Sequence, residues 1–329
     1  MKAIVWTNYG PPDVLQLREV AKPAPKDDEV LIKIHATTAF AGDSELRSLK
    51  TPIIYRLPMR IYVGWSKPTR ITILGQELAG EIEAVGKDVK RFKEGDQVFG
   101  PPGFGMGAYA EYICLPEDGF LALKPANMSY VEAATLSIGG NEALYFMRKA
   151  NIQSGDKVLI VGAGGSIGTF AIQLAKYYGA EVTGVDRTEK LDFMRSIGAD
   201  WVVDYTQEDF TKRGQTYDVI FDVIGKSPFS GSIRSLKHNG RYLIGNPGLS
   251  EMVRAPWTSW RSGKNVYTGT ASNNTEDLVF LKELIMAGKI RSIIDRTYPL
   301  EQMVEAHRYV ESGQKKGHVV ITVDHDNKS

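Results

Sequence analysis

Three glycines in the middle of the chain have the spacing of a turn that binds phosphate. Gly162, Gly165 and Gly168 directly follow a short apolar run, and an apolar stripe with a helical period begins just after them. Glycine allows positive φ and lets main-chain N–H groups approach a pyrophosphate at the positive end of a helix. The segment therefore predicts a dinucleotide site formed by the three glycines together with Ser166 and Ile167.

An acidic residue closes the second apolar run of the same unit. Residues 182–185 end in Asp186, eighteen positions after Gly168. A carboxylate at the end of this strand accepts hydrogen bonds from the adenine ribose hydroxyls and repels a 2′-phosphate, which favours NAD(H). Arg187 and Lys190 follow at once and could instead attract a 2′-phosphate, although Lys190 could also be a charge on the solvent-facing side of a helix. The residues alone leave the choice between NAD(H) and NADP(H) open.

The elements that must position these residues differ between the two ends of the chain. Residues 127–271 alternate strand and helix patterns, with one helix predicted at 227–237, as is typical of a doubly wound parallel sheet. The first 125 residues contain short strand patterns separated by Pro, Gly and Asp, which predict a small, bent antiparallel barrel. Three segments are predicted as loops lining a cleft between the two domains: 40–47, 51–70 and 251–261. The second and third of them carry aromatic residues that suit a planar, apolar ligand.

Length and composition restrict the class of protein. A chain of 329 residues exceeds the ~250–300 residues at which one hydrophobic core stops growing, which predicts two domains. The net charge of +1 gives no electrostatic basis for binding nucleic acid or an anionic membrane. The longest apolar runs fall short of the ~18 residues that span a bilayer, so we expect a cytoplasmic protein. The single cysteine, Cys114, excludes an internal disulfide and any zinc site built from several thiolates.

Several segments outside the glycine turn form a specific pattern. They are GQELAG at 75–80, FKEGDQV at 92–98, GAYAEY at 107–112 and Ala306-His307 before the closing strand. With these segments the chain resembles the medium-chain dehydrogenase/reductase superfamily, and within it the zinc-free quinone oxidoreductase-like branch. The resemblance implies an α/β fold with two domains and a homodimeric assembly. The domains would be a GroES-like, β-rich catalytic domain at 1–126 and 272–329 and a doubly wound, parallel-sheet Rossmann domain at 127–271.

The positions that bind zinc in metal-dependent members of the superfamily hold other residues in this chain. Those members have a His before the Glu of the G-H-E segment, where this chain has Gln76, and cysteines in two segments that lack thiols here, 39–43 and 137–142. Gln is a poor zinc ligand beside Cys or His, so we expect no metal. His307 lies on an apolar stripe with Met303, Ala306 and Val310, and is predicted to be a core residue rather than a ligand.

The absence of a metal Lewis acid points to a particular class of acceptor. In a quinone, enal or enone the negative charge that follows hydride addition is delocalised, so a few hydrogen-bond donors can hold it. The resemblance implies Asp43 and Gln76 as catalytic candidates, and it implies Tyr55 as proton donor because its spacing from Asp43 is similar to that of a tyrosine in enoyl reductases. Two alternatives stay open: a metal-free carbonyl or alcohol oxidoreductase, and a cofactor-binding protein without catalysis.

The resemblance also extends to the cofactor site. Lys190 and Tyr205 are similar to the Lys and Tyr that bind the 2′-phosphate in NADP(H)-using quinone oxidoreductases, and the glycine spacing is similar to that of the same members. NADP(H) is therefore favoured, with NAD(H) possible. Further positions are implied on the adenosine side, Val223, and near the nicotinamide carboxamide, Gly245, Asn246 and Gly269.

Overall fold

The strands and helices follow the chain in the order expected of an α/β protein. The computed structural model describes residues 1–51, 53–269, 271 and 274–325. Its strands are β1 (Lys2–Trp6), β2 (Leu15–Glu19), β3 (Glu29–Thr38), β4 (Leu78–Val85), β5 (Gln97–Gly100), β6 (Tyr112–Pro116), β7 (Ala122–Leu123), β8 (Lys157–Val161), β9 (Glu181–Asp186), β10 (Trp201–Asp204), β11 (Tyr217–Asp222), β12 (Leu236–Ile244), β13 (Asn265–Thr268), β14 (Ile294–Pro299) and β15 (His318–Thr322). Its α-helices are α1 (Ala41–Ser48), α2 (Ile53–Val63), α3 (Tyr130–Ala133), α4 (Asn141–Ala150), α5 (Ser166–Tyr177), α6 (Leu191–Ser196), α7 (Phe229–Arg234), α8 (Leu249–Ser262), α9 (Thr275–Met286) and α10 (Met303–Glu311).

The chain forms two compact units. Unit 1 consists of Met1–Ile138, Asn274–Met286 and Ile294–Ser329, and unit 2 consists of Gly139–Asn273 and Ala287–Ile293. The second boundary that the sequence predicts lies between residue 271, which is described, and residue 272, which lies outside the described residues. Among the described residues, no helix has both the length and the apolar character needed to cross a bilayer.

Unit 1 is built around the long strand β3, which changes partners along its length. Its first half pairs with β6, its last three residues pair with β15, and β4 follows nearly all of it. Two register shifts between β3 and β4 bend the sheet. The strands of the first 125 residues pair antiparallel, as predicted, and β15 adds β14 to this sheet as a parallel neighbour. Ile32 and Ile34 of β3 and Ile82 of β4 are buried in the core of unit 1.

A parallel sheet forms the centre of unit 2, in the order β10-β9-β8-β11-β12-β13. Val158, Leu159 and Ile160 of β8 are completely buried, as expected for a central strand of a parallel sheet. The strand order reverses between β8 and β11, and sheets of this kind bind ligands at such a reversal, beyond the carboxyl ends of the strands. Val161, the last residue of β8, pairs with Val185 on one side and Asp222 on the other, so the three strands end level.

The three segments predicted as loops contain helices instead. Residues 40–47 form most of α1, residues 51–70 contain α2, and residues 251–261 lie within α8. Helix α1 buries polar residues, Asp43 and Arg47 among them, so its helical period does not stand out as an apolar stripe. Helices α2 and α8 each contain a proline, Pro58 and Pro256, a residue that normally ends a helix.

Two predicted element boundaries were also wrong. The helix expected at 227–237 ends at Arg234, because Leu236 already pairs with Tyr217 as the first residue of β12. The strand expected at 108–115 begins only at Tyr112. Before it, the main chain of Tyr109 donates to the Leu74 carbonyl at 2.9 Å and accepts from Ile4 N–H at 2.8 Å.

Candidate active site

The glycine turn of unit 2 connects β8 to α5 in a very small space. Gly162 has φ of +78°, and its N–H donates to the Val185 carbonyl at 2.9 Å. Gly168 is helical, and a Cβ there would lie 2.3 Å from the Gly162 carbonyl oxygen. Gly165, with φ of −90°, precedes the first residue of α5. The prediction of positive φ is therefore correct for Gly162 and wrong for the other two. Close packing requires glycine at 168, whereas the φ of Gly165 is open to other residues.

The start of α5 supplies donors next to this turn. Ser166 and Ile167 are its first two residues, and Thr169 N–H makes the first helical bond, to the Gly165 carbonyl at 3.0 Å. Main-chain N–H groups in the first turn of a helix have no acceptor within the helix and point towards the positive end of its dipole. The turn and the first residues of α5 thus have the form of an anion site that fits a pyrophosphate.

Asp186 ends β9 with its carboxylate turned towards the glycine turn. One oxygen accepts the Gly164 N–H at 3.0 Å, and the other accepts the Arg187 N–H at 2.9 Å and lies 3.4 Å from Lys190 Nζ. Both Asp186 and Lys190 are buried. The interpretation of Lys190 as a solvated surface charge is therefore wrong, since its charge offsets that of Asp186 inside the protein.

Tyr205 completes a cluster around Asp186. Its N–H donates to the Asp186 carbonyl oxygen at 3.1 Å, and a hydrogen bond with the Tyr205 hydroxyl raises the pKa of Arg187. The Tyr205 side chain is half exposed. The structure thus brings together Asp186, Arg187, Lys190 and Tyr205 at the ends of β9 and β10.

A residue that the sequence analysis did not identify, Asp222, shapes the neighbouring turn. Buried at the end of β11, its carboxylate accepts N–H groups of Ile224, Gly225 and Ser227 at 3.2, 2.8 and 2.8 Å. Its carbonyl oxygen accepts the Gly245 N–H at 2.9 Å. An acidic residue at a strand end, three positions before a glycine, is the signal in the sequence that could have revealed it.

The remaining predicted cofactor residues of unit 2 follow the neighbouring strands. Val223 comes directly after β11, Gly245 and Asn246 come after β12, and Gly269 comes after β13. The turns after β11 and β12 pack closely, because a Cβ on Gly225 would lie 2.0 Å from the Asn246 carbonyl oxygen. These residues therefore lie on the carboxyl side of the sheet, where a doubly wound sheet binds its ligand.

Glu142, near the start of α4, is a second residue that the sequence analysis missed. Its carboxylate oxygens lie 3.3 and 3.4 Å from the Ala271 N–H, close in the chain to Gly269. Burial raises the pKa of Glu142 to about 7, which the single main-chain donor only partly opposes.

In unit 1, helix α1 places Asp43 in the interior beside Gln76. Asp43 Oδ1 accepts the Gly75 N–H at 3.3 Å and Gln76 Nε2 at 3.2 Å, and Oδ2 accepts the Tyr109 hydroxyl at 3.0 Å. Burial raises the pKa of Asp43 to about 6, although these donors favour its ionised form. Gln76 itself is half-buried. Tyr55 lies on α2 and is also half-buried, and its role as proton donor stays a prediction.

The donor set around Gln76 does not fit a zinc ion. The Gln76 amide is neutral and donates to Asp43, and both Asp43 oxygens already accept hydrogen bonds. The adjoining Glu77 carboxylate is buried and accepts the Thr38 hydroxyl and the Ile138 N–H. Within the described part of the chain, no group of three or more His, Cys, Asp or Glu residues could hold a metal ion. Zinc sites in proteins use Cys, His and carboxylate ligands that are free to bind the metal.

Comparison with protein families and known structures identifies the relatives of this chain. Residues 26–125 match the alcohol dehydrogenase GroES-like domain, and residues 197–321 match a family described as zinc-binding dehydrogenase. The chain is 33% identical to 2-methylene-furan-3-one reductase of Solanum lycopersicum, over 98% of this chain and 79% of the relative. It is 31% identical, with the same coverage, to the chloroplastic NADPH-dependent alkenal/one oxidoreductase of Arabidopsis thaliana.

A solved structure extends the similarity to the whole fold. The quinone oxidoreductase from Coxiella burnetii superposes with a TM-score of 0.88 at 30% identity, covering 98% of this chain and 99% of that one. The predicted fold class, a GroES-like domain with a parallel-sheet Rossmann domain, is thereby confirmed. The chain belongs to the medium-chain dehydrogenase/reductase superfamily, in its zinc-free quinone oxidoreductase-like branch.

Proposed function

We propose that the protein is an oxidoreductase that reduces quinones or the activated double bonds of enals and enones, with a nicotinamide dinucleotide as the hydride source. The observation that carries the proposal is the pair formed by Gln76 and Asp43. It puts an oriented amide where zinc-dependent members of the superfamily have a metal ligand. The names of the relatives, a 2-methylene-furan-3-one reductase, an alkenal/one oxidoreductase and a quinone oxidoreductase, support the same class of acceptor.

The chemistry of these side chains suits a delocalised anion. A bound reduced nicotinamide supplies a hydride from its C4 position. Because Gln76 donates one amide N–H to Asp43, its second N–H can donate to the carbonyl oxygen of an acceptor. One neutral N–H donor stabilises a developing negative charge less than a metal ion does. It suffices only where conjugation already spreads that charge. For an enone, Tyr55 or water would protonate the α-carbon.

NADP(H) is the preferred cofactor in this proposal. The Asp186 carboxylate, which would otherwise bind ribose hydroxyls, is engaged by Gly164 and Lys190, and this neutralisation reduces its repulsion of a 2′-phosphate. Arg187 and Tyr205 add a cation and a hydroxyl at the same strand end. Val223 would then lie on the adenosine side, and Gly245, Asn246 and Gly269 near the carboxamide. The name of the Arabidopsis relative supports the choice of NADPH.

Assembly and location complete the proposal. We expect a homodimer that pairs the Rossmann sheets through β13, which in the described residues has β12 as its one strand partner. We also expect a cytoplasmic protein, since one cysteine suits a reducing compartment. We assign catalysis to the GroES-like domain, residues 1–126 and 272–329. We assign dinucleotide binding to the Rossmann domain, residues 127–271.

The proposal is tested by following the label from cofactor to product. NADPH and NADH oxidation would be measured against quinones, enals, enones and saturated aldehydes, and then repeated with C4-deuterated cofactor. We expect turnover with quinones or with enals and enones, and deuterium on the β-carbon of an enal product. Deuterium on the carbonyl carbon, giving an allylic alcohol, would identify a carbonyl reductase instead. Tight cofactor binding without turnover of any acceptor would identify a non-catalytic binding protein.

A further inference from the structure

Four side chains of unit 1 form a continuous buried chain of hydrogen bonds that ends at Asp43. The Tyr109 hydroxyl lies 3.0 Å from Asp43 Oδ2 and 3.2 Å from His307 Nε2, and His307 Nδ1 lies 3.0 Å from the Ser44 hydroxyl. Asp43, Tyr109 and His307 have no exposed surface, and Ser44 has almost none. The residues come from α1, from the segment before β6 and from α10.

The direction of each hydrogen bond in this chain is fixed by chemistry. An ionised carboxylate only accepts, so the single Tyr109 proton must point to Asp43. The Tyr109 oxygen then accepts from His307, which places the imidazole proton on Nε2. His307 Nδ1 is therefore an acceptor, and the Ser44 hydroxyl donates to it. The result is a one-way sequence of donors, from Ser44 through His307 and Tyr109 to Asp43.

The charged groups around the chain keep its members in these protonation states. Burial and the nearby Arg47 guanidinium lower the pKa of His307 to about 3, so its ring stays neutral. Burial, Asp43 and Glu77 raise the pKa of Tyr109 well above its usual value, so its hydroxyl remains a donor. Arg47 is itself paired with Glu311 and with the Gly10 carbonyl.

We propose that Tyr109, His307 and Ser44 are positioning residues that hold the Asp43 carboxylate ionised and oriented, and thereby fix which side of the Gln76 amide faces the acceptor. This inference rests on the proposed function. If Asp43 gains a proton on Oδ1, that oxygen becomes a donor, and the Gln76 amide must turn its own oxygen towards it. The turned amide would present different atoms to a substrate carbonyl.

The variants Tyr109→Phe, His307→Leu and His307→Gln test this role. Loss of the Tyr109 donor removes a hydrogen bond that favours the ionised carboxylate, so the pKa of Asp43 should rise by about one unit. The acidic limb of kcat/KM against pH should move by the same amount in Tyr109→Phe. His307→Leu should move it in the same direction, and His307→Gln should restore it, because an amide can both donate and accept.

A direct measurement separates this role from general damage. The Asp43 carboxyl would be titrated by ¹³C NMR, with Asp43→Asn for assignment, and ¹⁵N NMR should find the Nε2–H form of neutral His307 from pH 5 to 8. Tyr217→Phe is the matched control, because it removes a buried phenol that hydrogen-bonds to Thr183 in unit 2. It should leave both the Asp43 titration and the acidic limb unchanged.

Each outcome has one meaning. Parallel shifts of the titration and the acidic limb in Tyr109→Phe, with recovery in His307→Gln, would support the positioning role. Normal wild-type turnover with an acidic limb that none of the variants moves would overturn it and leave the proposed function intact. Failure of the wild type to turn over any acceptor would overturn the proposed function, and the positioning role with it. If Tyr109→Phe does not fold, the two His307 variants decide the matter.

Discussion

At the scale of single residues, the proposed preference for NADP(H) depends on the buried pair of Asp186 and Lys190. The two side chains are close and almost without solvent, so their interaction is less screened than that of a surface pair. Lys190 could act on a 2′-phosphate directly, or it could act indirectly by neutralising Asp186. Both routes favour NADP(H), and they differ in what happens when Asp186 is removed as well.

A double-mutant cycle distinguishes the two routes. We expect Lys190→Ala to weaken NADPH binding by roughly 1–3 kcal/mol, the range for hydrogen bonds to charged groups, and to leave NADH binding nearly unchanged. Titrations of cofactor fluorescence would give both dissociation constants. If Lys190 binds the phosphate directly, the loss persists in an Asp186→Ser background. If it only neutralises Asp186, the loss disappears there.

The control for this cycle is another lysine and aspartate pair of unit 2. Lys176 lies 2.8 Å from Asp200 and is partly exposed. Lys176→Ala should change neither dissociation constant. Equal weakening of NADPH and NADH by Lys190→Ala would remove Lys190 from the phosphate site.

At the scale of elements, the turn between β8 and α5 contains glycines with different roles. A Cβ on Gly168 would overlap the Gly162 carbonyl, whereas a Cβ on Gly165 would lie 3.4 Å from the same oxygen, an ordinary contact. Gly168→Ala should therefore lower the free energy of unfolding by about 1–3 kcal/mol, as overpacked sites do. Gly165→Ala should leave stability nearly unchanged.

The two alanine variants therefore test phosphate binding separately from folding. If the turn binds a pyrophosphate, a methyl group at Gly165 should weaken cofactor binding without loss of stability, because it adds bulk beside the main-chain N–H groups that a pyrophosphate would approach. Thermal unfolding without cofactor and binding titrations on the same samples would show this. Unchanged affinity in Gly165→Ala would place the pyrophosphate elsewhere.

The same scale shows what the sequence could predict. The unit from β8 to β9 was predicted closely, because a buried strand, a glycine turn and an apolar helical stripe are all local patterns. Helix α1 was missed because it buries charged side chains. The buried chain of hydrogen bonds in unit 1 could not be predicted either. Asp43, Tyr109 and His307 are far apart in the sequence and meet only when distant strands and helices pack together. His307 was correctly predicted as a core residue, but not its two hydrogen bonds.

At the scale of the whole molecule, buried titratable groups give stability a pH dependence that the net charge does not reveal. The folded-state pKa of His307 is lowered to about 3, so its contribution is present above the unfolded value near 6.5 and is lost as the pH falls. The folded-state pKa values of Asp43 and Glu142 are raised to about 6 and about 7. Their contributions are present at low pH and are lost as the pH rises through those values.

His307 and Asp43 therefore oppose each other in unit 1 between about pH 4 and 6. Over this range the unfolded chain protonates His307 and the folded chain does not, whereas the folded chain protonates Asp43 before the unfolded chain does. Each difference changes the free energy of unfolding by on the order of 1 kcal/mol per pH unit, in opposite directions. Replacing either residue should reveal the pH dependence that the other one contributes. Relative to wild type, His307→Gln should gain stability as the pH falls from 6 to 4, and Asp43→Asn should lose it.

Urea unfolding at several pH values between 4 and 7 would measure these differences. Taking each variant relative to wild type removes the contribution of Glu142, which all three proteins share. His238→Gln is the matched control, because His238 is exposed and its replacement removes no buried imidazole. It should run parallel to wild type. Curves for His307→Gln and Asp43→Asn that diverge from wild type in the same direction would contradict the neutral imidazole and the ionised carboxylate on which the positioning role depends.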